Sequence, residues 1–200
     1  IVHFFIVHII AVVICYFTAL FLYVAILIVL TGAYELVILG YPKKQSVFFY
    51  FFSAIIYCLS AYGFLYMANI FSGNELLFVF LLVFTFDGFS QVSGQLFGKN
   101  KLFPQTSPNK TIEGLTGGSL FAFLTAWLIR NWINEPPLHI LLICCILIIA
   151  ALSGDWLASY YKRKHSVKDY SNLIPGHGGV LDRFDSWIFA SAVAAILFKL

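Results

Sequence analysis

The sequence predicts an all-α protein, a polytopic transmembrane helical chain with six or seven spans. Hydrophobic residues make up 61% of its 200 residues and charged residues only 10%, whereas soluble domains carry about 25% charged residues. The mean hydropathy is +0.91. Several apolar runs also reach the ~20 residues that a helix needs to cross the hydrocarbon core of a bilayer. Together these observations exclude an ordinary soluble domain.

The apolar runs place the predicted spans. The first run, residues 1–39, is nearly twice the length of a span, which indicates two spans joined by a tight turn or one long tilted helix. Further runs cover about residues 46–68, 76–97, 115–129, 138–152 and 186–200. Segments rich in glycine, proline, asparagine and charge separate them. Because no repeat or low-complexity linker interrupts the pattern, residues 1–200 are predicted to form a single membrane domain.

The basic residues predict the orientation of the chain. They cluster in three connections, as Lys43, Lys44, Lys99, Lys101, Lys110, Lys162, Arg163, Lys164, Lys168 and Arg183. The intervening connections, about residues 69–75 and 130–137, hold only Arg130. Cytoplasmic loops carry the excess of lysine and arginine, so the three basic connections are expected in the cytoplasm. The net charge of +3 therefore reflects topology and does not indicate nucleic-acid binding.

The acidic residues concentrate beside two of these connections, residues 98–114 and 158–183. Six of the nine lie there: Asp87, Glu113, Asp155, Asp169, Asp182 and Asp185. Asp87 and Asp155 fall at the edge of apolar runs, where an unpaired carboxylate costs ~2.5–3.5 kcal/mol or more. Each is therefore expected to face a cavity and to have a partner. The alternative is a single structural hydrogen bond at a helix end.

Helical spacing predicts how these groups converge. If the helix continues past Gly154, then Asp155, Ser159 and Lys162 share one face. Asp182 and Asp185, three residues apart, share another. Paired carboxylates beside cationic side chains suggest Mg²⁺ and a polyphosphate, since Mg²⁺ is usually held by one or two carboxylates together with substrate phosphates. The cationic side chains from 162 to 164 could equally anchor the helix to anionic lipid heads.

A glycine-rich turn precedes the last span. Gly176, Gly178 and Gly179 surround His177, and such a turn lets backbone N–H groups approach an anion. An ordinary connection between helices would use the same residues.

A second anion site is predicted at Ser107 and Pro108, which resemble the N-cap and first residue of a helix. That helix would carry Lys110 and Glu113 in its first turns, beside the positive end of its dipole. Simple capping is the alternative.

The segment from Ser159 to Asp185 resembles the signature of phosphatidate cytidylyltransferases, the CDP-diacylglycerol synthases. The resemblance lies in Ser159 to Arg163, in Lys168 and Asp169, and in the Pro-Gly-His-Gly-Gly-Val-Leu-Asp-Arg-Phe-Asp stretch that ends at Asp185. Upstream, Gly154–Asp155 and the Gly, Lys, Ser-Pro, Lys-Thr and Glu-Gly positions from 98 to 118 resemble a second block of the family. Residues 86–200 are thus the expected catalytic region, and residues 1–85 the N-terminal spans.

The resemblance implies transfer of CMP from CTP to phosphatidic acid in the bacterial cytoplasmic membrane, for phospholipid biosynthesis, with the active site facing the cytoplasm. It implies Mg²⁺ as the cofactor, with a second cation such as K⁺. It also implies contact with membrane lipids and is compatible with a homodimer. The expected metal ligands are Asp155 and Asp182. Asp87 is a third candidate, although its Asp-Gly-Phe-Ser-Gln context departs from the family pattern. The expected catalytic residues are Asp155, Lys162, Asp182 and Asp185. The expected substrate-binding residues are Ser107, Lys110, Glu113, Ser159, Arg163, Lys168, Asp169, His177, Gly178, Gly179 and Arg183.

Two alternatives are compatible with the same residues. One is a related CTP-dependent enzyme acting on another lipid, a polyprenol kinase or a CDP-archaeol-type synthase. The other is an ion transporter, because intramembrane carboxylates also mark ion pathways. A transporter would spread its acidic residues through the depth of the bilayer, whereas here they crowd one side.

Overall fold

The structure, a computed structural model, describes residues 11–13, 15–41, 45–133, 135–173 and 178–198. Within these ranges it contains six long helices, a two-stranded hairpin and one short 3₁₀ turn at Arg130–Trp132. The helices are α1 (Thr18–Gly40), α2 (Val47–Ile70), α3 (Gly73–Phe97), α4 (Ile112–Leu128), α5 (Pro137–Lys164) and α6 (Leu181–Leu197). The strands are β1 (Lys101–Phe103) and β2 (Ser107–Thr111).

The prediction of an all-α polytopic membrane protein is confirmed. Helices α1, α2, α3 and α5 are each long and apolar enough to cross a bilayer, and α4 is a shorter apolar helix of 17 residues. The first apolar run is bent at Phe17, since residues 11–13 and 15–16 are also helical. Residues 1–10, which complete that run, lie outside the described ranges.

The prediction that a helix begins at Ser107 and Pro108 is wrong. Ser107–Thr111 is a strand that pairs antiparallel with β1, and the helix begins at Ile112 with Thr111 as its N-cap. The Thr111 hydroxyl accepts a hydrogen bond from the Gly114 N–H at 3.0 Å. Pro108 is tolerated in this strand because a two-stranded hairpin leaves unpaired edges where no N–H is needed. Lys110 is therefore held by a hairpin and not by a helix.

The last helix packs into the centre of the bundle through Trp187. Its side chain is 2% exposed and lies against Phe21 of α1, Phe64 of α2 and Phe80 of α3, with ring centroids 5.0–5.7 Å apart. Gly63 lets α2 and α6 touch, because a Cβ there would lie 2.6 Å from the Ala192 Cα. This packing fixes the position of the first turn of α6, where Asp182 and Asp185 lie.

Small residues bring α3 and α4 into backbone contact. A Cβ at Gly114 would lie 2.6 Å from the backbone oxygen of Ser90, and one at Gly118 would lie 2.6 Å from the backbone oxygen of Phe86. In lipid the hydrophobic effect does not drive helices together, and close packing of small residues stabilises their contact instead. Because α4 follows β2 directly, the contact also holds β2 against α3, where Lys110 reaches Asp87.

Candidate active site

Three charged side chains from α3, β2 and α5 meet at one end of the bundle, and we call them the Lys110 cluster: Asp87, Lys110 and Asp155. The Lys110 Nζ lies 3.2 Å from Asp155 Oδ2 and 3.8 Å from Asp87 Oδ1. The Ser186 hydroxyl of α6 donates a hydrogen bond of 2.6 Å to Asp87 Oδ2. The expectation that Asp87 and Asp155 each have a partner is confirmed, and that partner is the same lysine.

The Lys110 cluster carries more negative than positive charge. Burial, the largest single influence, lowers the pKa of Lys110, but the carboxylates of Asp87, Asp155 and Asp185 together outweigh it and raise the pKa above its usual value. The Asp185 side chain also acts on Lys110. Its helix lies close to α5 at Gly154, where a Cβ would lie 3.1 Å from the backbone oxygen of Asp185. The Lys110 ammonium therefore pairs with two carboxylates and lies near a third acidic side chain, that of Asp185.

Two oxygens of the Lys110 cluster are incompletely satisfied. Asp87 Oδ1 and Asp155 Oδ2 are buried and receive no well-aligned hydrogen bond from any described residue. They have only the ion pairs with Lys110 to offset their loss of hydration. Buried polar oxygens normally have a partner, so these two are the natural place for a bound cation or its water. No ready-made group of three or more metal-ligating side chains occurs among the described residues.

A second ion pair joins α5 to α6, and both oxygens of its carboxylate have partners. The Lys162 Nζ lies 2.7 Å from Asp182 Oδ1, and the two side chains are 10% and 4% exposed. Asp182 Oδ2 accepts hydrogen bonds of 2.8 Å from the N–H groups of Tyr170 and Gly179. The predicted convergence of the two helix faces is thus present, since α5 continues through Asp155 and Ser159 to Lys162.

The glycine-rich turn directs its N–H groups to carboxylates of the protein itself. Gly178 has a φ of +85°, a conformation that glycine adopts without the steric cost that a side chain would add. The Gly179 N–H binds Asp182, while the N–H groups of Val180 and Leu181 donate to Glu35 at 2.9 and 2.7 Å. His177 and Gly176 lie outside the described residues.

Glu35 is a residue of this region that the sequence did not assign to the site. Its side chain on α1 is 1% exposed, and it binds the segment just before α6. The signal was present: Glu35 is the single charged residue in the 23 residues of α1, and a charge within an apolar span marks a functional or paired position. We call Glu35 and Asp182 together the carboxylate clamp.

The other predicted site residues divide into three groups. Arg163 and Glu113 bind backbone at the hairpin: Arg163 Nε donates to the Thr106 oxygen at 3.1 Å, and Glu113 accepts from the Lys99 and Asn100 N–H groups at 3.1–3.2 Å. Ser159 is buried on α5 near Lys162. The remaining three, Lys168, Asp169 and Arg183, are exposed at the same end of the molecule. Their predicted contacts with substrate remain predictions.

An apolar cavity of about 270 Å³ adjoins this end of the bundle. It lies between α1, α2, α5 and α6, and Gly154 and Asp185 form part of its wall. The rest of the lining is mainly aromatic and aliphatic, including Phe49, Phe52 and Ile56 of α2. A hydrophobic chamber therefore borders the charged groups directly.

These features define an integral membrane protein with a charged site at one end of a helical bundle. The sequence model of the cytidylyltransferase family matches residues 42–200. The chain belongs to this family.

Curated relatives agree with that assignment. A protein named phosphatidate cytidylyltransferase from Staphylococcus epidermidis strain RP62A is 37% identical over 176 residues, which cover 82% of this chain and 66% of the relative. Proteins of the same name from Rickettsia felis and Rickettsia typhi are 42% and 41% identical over 122 residues, covering 57% of this chain and 54% of each relative. The chain thus spans between half and two thirds of the length of these relatives.

Proposed function

We propose that this protein transfers CMP from CTP to phosphatidic acid, giving CDP-diacylglycerol and pyrophosphate, as a step in phospholipid biosynthesis. The observation that carries the proposal is the α5 stripe: Asp155 in the Lys110 cluster and Lys162 beside Asp182 stand on one helix face at the edge of an apolar chamber. Seven residues of helix separate them by about 10 Å, which is suited to a triphosphate and a lipid phosphate lying side by side. The names of the relatives support the same reaction.

The lipid phosphate supplies its own nucleophile. A phosphomonoester has a second pKa of ~6 and is largely dianionic at neutral pH. One of its oxygens attacks the α-phosphorus of CTP, and the bond from that phosphorus to the oxygen shared with the β-phosphate breaks. The main barriers are charge repulsion between the two substrates and their alignment. The ammonium groups of Lys162 on α5 and Lys110 beside Asp155 would reduce both.

Magnesium fits the Lys110 cluster. Asp87 Oδ1 and Asp155 Oδ2 are carboxylate oxygens without well-aligned hydrogen bonds among the described residues, and Mg²⁺ accepts one or two carboxylates when substrate phosphates and water complete its shell. We propose Asp155 and Asp87 as its ligands, where the ion would neutralise charge on the phosphates. For Asp182 to be the ligand predicted from the sequence, its Oδ1 would have to exchange Lys162 for the ion. A second cation such as K⁺ remains a prediction.

The lipid is proposed to enter from the bilayer. The cavity between α2 and α5 is apolar, and its wall includes Asp185 at the charged end. Hydrocarbon would occupy the chamber while the phosphate lies on the α5 stripe. The same end of the bundle carries the basic hairpin and the basic residues at 162–168, and Arg163 joins the two through a hydrogen bond to the Thr106 backbone oxygen. We therefore propose that the site faces the cytoplasm.

The test is product analysis with labelled CTP. The purified chain in lipid nanodiscs is incubated with Mg²⁺, phosphatidic acid and CTP labelled on either the α- or the γ-phosphate. The proposed reaction places the α-label in the lipid and releases one pyrophosphate for each lipid product. A γ-label in the lipid together with free CDP would identify a kinase instead. Offering a polyprenol or an archaeal-type lipid phosphate as the acceptor tests the other lipid alternatives.

A further inference from the structure

The Glu35 carboxylate binds both ends of the loop that precedes α6. At one end its Oε1 accepts a hydrogen bond of 2.6 Å from the Ser171 hydroxyl. At the other end Oε1 accepts from the Val180 N–H at 2.9 Å, and Oε2 accepts from the Leu181 N–H at 2.7 Å. Every one of these bonds is charge-assisted, and such bonds are about twice as strong as neutral ones.

Glu35 also supplies a helix cap that α6 lacks in its own sequence. Val180 stands at the N-cap position and has no side-chain oxygen to offer. The first N–H groups of a helix have no partner within the helix, and the positive end of the helix dipole favours a negative charge there. A carboxylate from α1 therefore completes the start of α6.

The contact constrains the sequence of the loop. A Cβ at Gly179 would lie 2.5 Å from Glu35 Oε1 and 2.7 Å from Oε2, so a side chain at 179 and the Glu35 carboxylate cannot keep their present positions together. Gly179 was predicted to approach a substrate anion; in the structure the anion that it accommodates is Glu35.

The two members of the carboxylate clamp act in parallel. Glu35 joins Ser171 to Val180 and Leu181, and Asp182 joins Tyr170 to Gly179. Asp182 in turn holds Lys162. Loss of Glu35 would remove the link from Ser171 to Val180 and Leu181 and would loosen the first turn of α6, which carries Asp182 and Asp185.

We propose that Glu35 is a positioning residue of the active site, which joins Ser171 to Val180 and Leu181 and thereby fixes the first turn of α6 against α5. It lies on a helix outside the residues that match the family model, 42–200. The site thus depends on the N-terminal part of the chain. The structural half of this proposal stands alone, whereas its catalytic consequence rests on the proposed function.

The structural half is tested by hydrogen exchange of the full chain in nanodiscs. Peptides covering residues 178–182 are compared in the wild type, Glu35→Gln, Glu35→Ala and Glu75→Gln. Glu75 is the matched control, because it caps α3 through Ser72 and lies twelve residues, about 18 Å along the helix, from Asp87. We expect the amides of Val180 and Leu181 to exchange at least about tenfold faster in Glu35→Ala and unchanged in Glu75→Gln. Unchanged exchange in Glu35→Ala would overturn the proposal.

The catalytic half is tested by steady-state kinetics on the same proteins. Glu35→Gln keeps the shape but turns an NH₂ group or a neutral oxygen toward the loop donors, and we expect kcat to fall about 10- to 100-fold, since misplacement of a catalytic group by ~1 Å costs about 100-fold. The KM for CTP should change less than threefold, and Glu35→Asp, which retains the charge, should recover part of kcat. Glu75→Gln should match the wild type. Faster exchange with normal kcat would overturn the positioning role, while an inactive wild type would contradict the proposed function and leave the exchange result standing.

A double-mutant cycle tests the specific contact. Gly179→Ala alone should lower kcat, because its Cβ displaces the Glu35 carboxylate. In a Glu35→Ala background that carboxylate is gone, so Gly179→Ala should cost less than threefold more. Full multiplication of the two effects would show that Gly179 acts independently of Glu35 and would overturn this contact as the cause.

Discussion

The Lys110 cluster and the carboxylate clamp are both buried, charged and at the same end of the bundle, yet they are built in opposite ways. In the Lys110 cluster one ammonium pairs with two carboxylates, and two buried oxygens receive no well-aligned hydrogen bond within the described residues. In the carboxylate clamp each oxygen of Glu35 and Asp182 accepts at least one hydrogen bond or ion pair of 2.6–2.9 Å.

The difference separates a site for ligands from a scaffold. An excess of carboxylate that is left partly unpaired attracts a cation, and the binding of that cation stabilises the folded chain. A carboxylate whose oxygens are all bonded to the protein has less capacity left for a ligand, and its main contribution is to geometry. Substitutions in the Lys110 cluster should therefore affect catalysis without affecting the stability of the metal-free protein, whereas substitutions in the carboxylate clamp should affect both.

Asp155→Asn tests the first half of this comparison and should have the largest effect on turnover. It removes a proposed metal ligand, and we expect CDP-diacylglycerol formation to fall by at least about 1000-fold, equivalent to about 4 kcal/mol of transition-state stabilisation. In EDTA the unfolding midpoint should stay close to that of the wild type, because the substitution relieves a carboxylate excess and leaves Lys110 paired with Asp87. The measurements are product formation and thermal unfolding in detergent.

Glu135→Gln is the control for that substitution. It also neutralises one acidic residue, but in an exposed pair with His139, and both readouts should remain unchanged. Normal turnover by Asp155→Asn would contradict the proposed metal site, and a large loss of stability would contradict the distinction between the two regions.

Asp182→Asn tests the second half and should lower both turnover and stability. Its loss leaves the Lys162 ammonium, 10% exposed, without its counter-ion, and breaking a buried ion pair in this way costs about 3–5 kcal/mol. We expect turnover to fall by about 100-fold or more and the unfolding midpoint to drop clearly below that of Asp155→Asn. Equal midpoints for the two variants would show that the carboxylate clamp does not stabilise the fold.

Much of the fold was predictable because its signals are local. Apolar runs of about 20 residues located the long helices, and helical spacing alone placed Asp155, Ser159 and Lys162 on one face of α5. The same argument paired Asp182 with Asp185 at the start of α6. These inferences need only the period of the helix, and so they hold without knowledge of any partner.

The remainder was not predictable because it depends on distant partners. The Ser107–Pro108 pair is compatible with a helix start and with an edge strand, and only the pairing with β1 decides between them. Glu35 binds a hydroxyl 136 residues away and two backbone N–H groups, and backbone donors leave no trace in the sequence. The meeting of Asp87 with Lys110 likewise required the contact between α3 and α4.

Ser186→Ala should have the smallest effect, and it tests whether Asp87 takes part in binding Mg²⁺. The Ser186 hydroxyl provides a hydrogen bond of 2.6 Å to Asp87 Oδ2, and the loss of a hydrogen bond to a charged group costs about 1.5–3 kcal/mol when nothing replaces it. If Mg²⁺ binds Asp87, the ion replaces part of that loss. We expect the unfolding midpoint of Ser186→Ala to fall in EDTA and to recover in millimolar Mg²⁺, with turnover reduced less than tenfold. A loss of stability that is the same with and without Mg²⁺ would show that Asp87 is held by protein contacts alone, and would confine the metal site to Asp155 and its neighbours on α5.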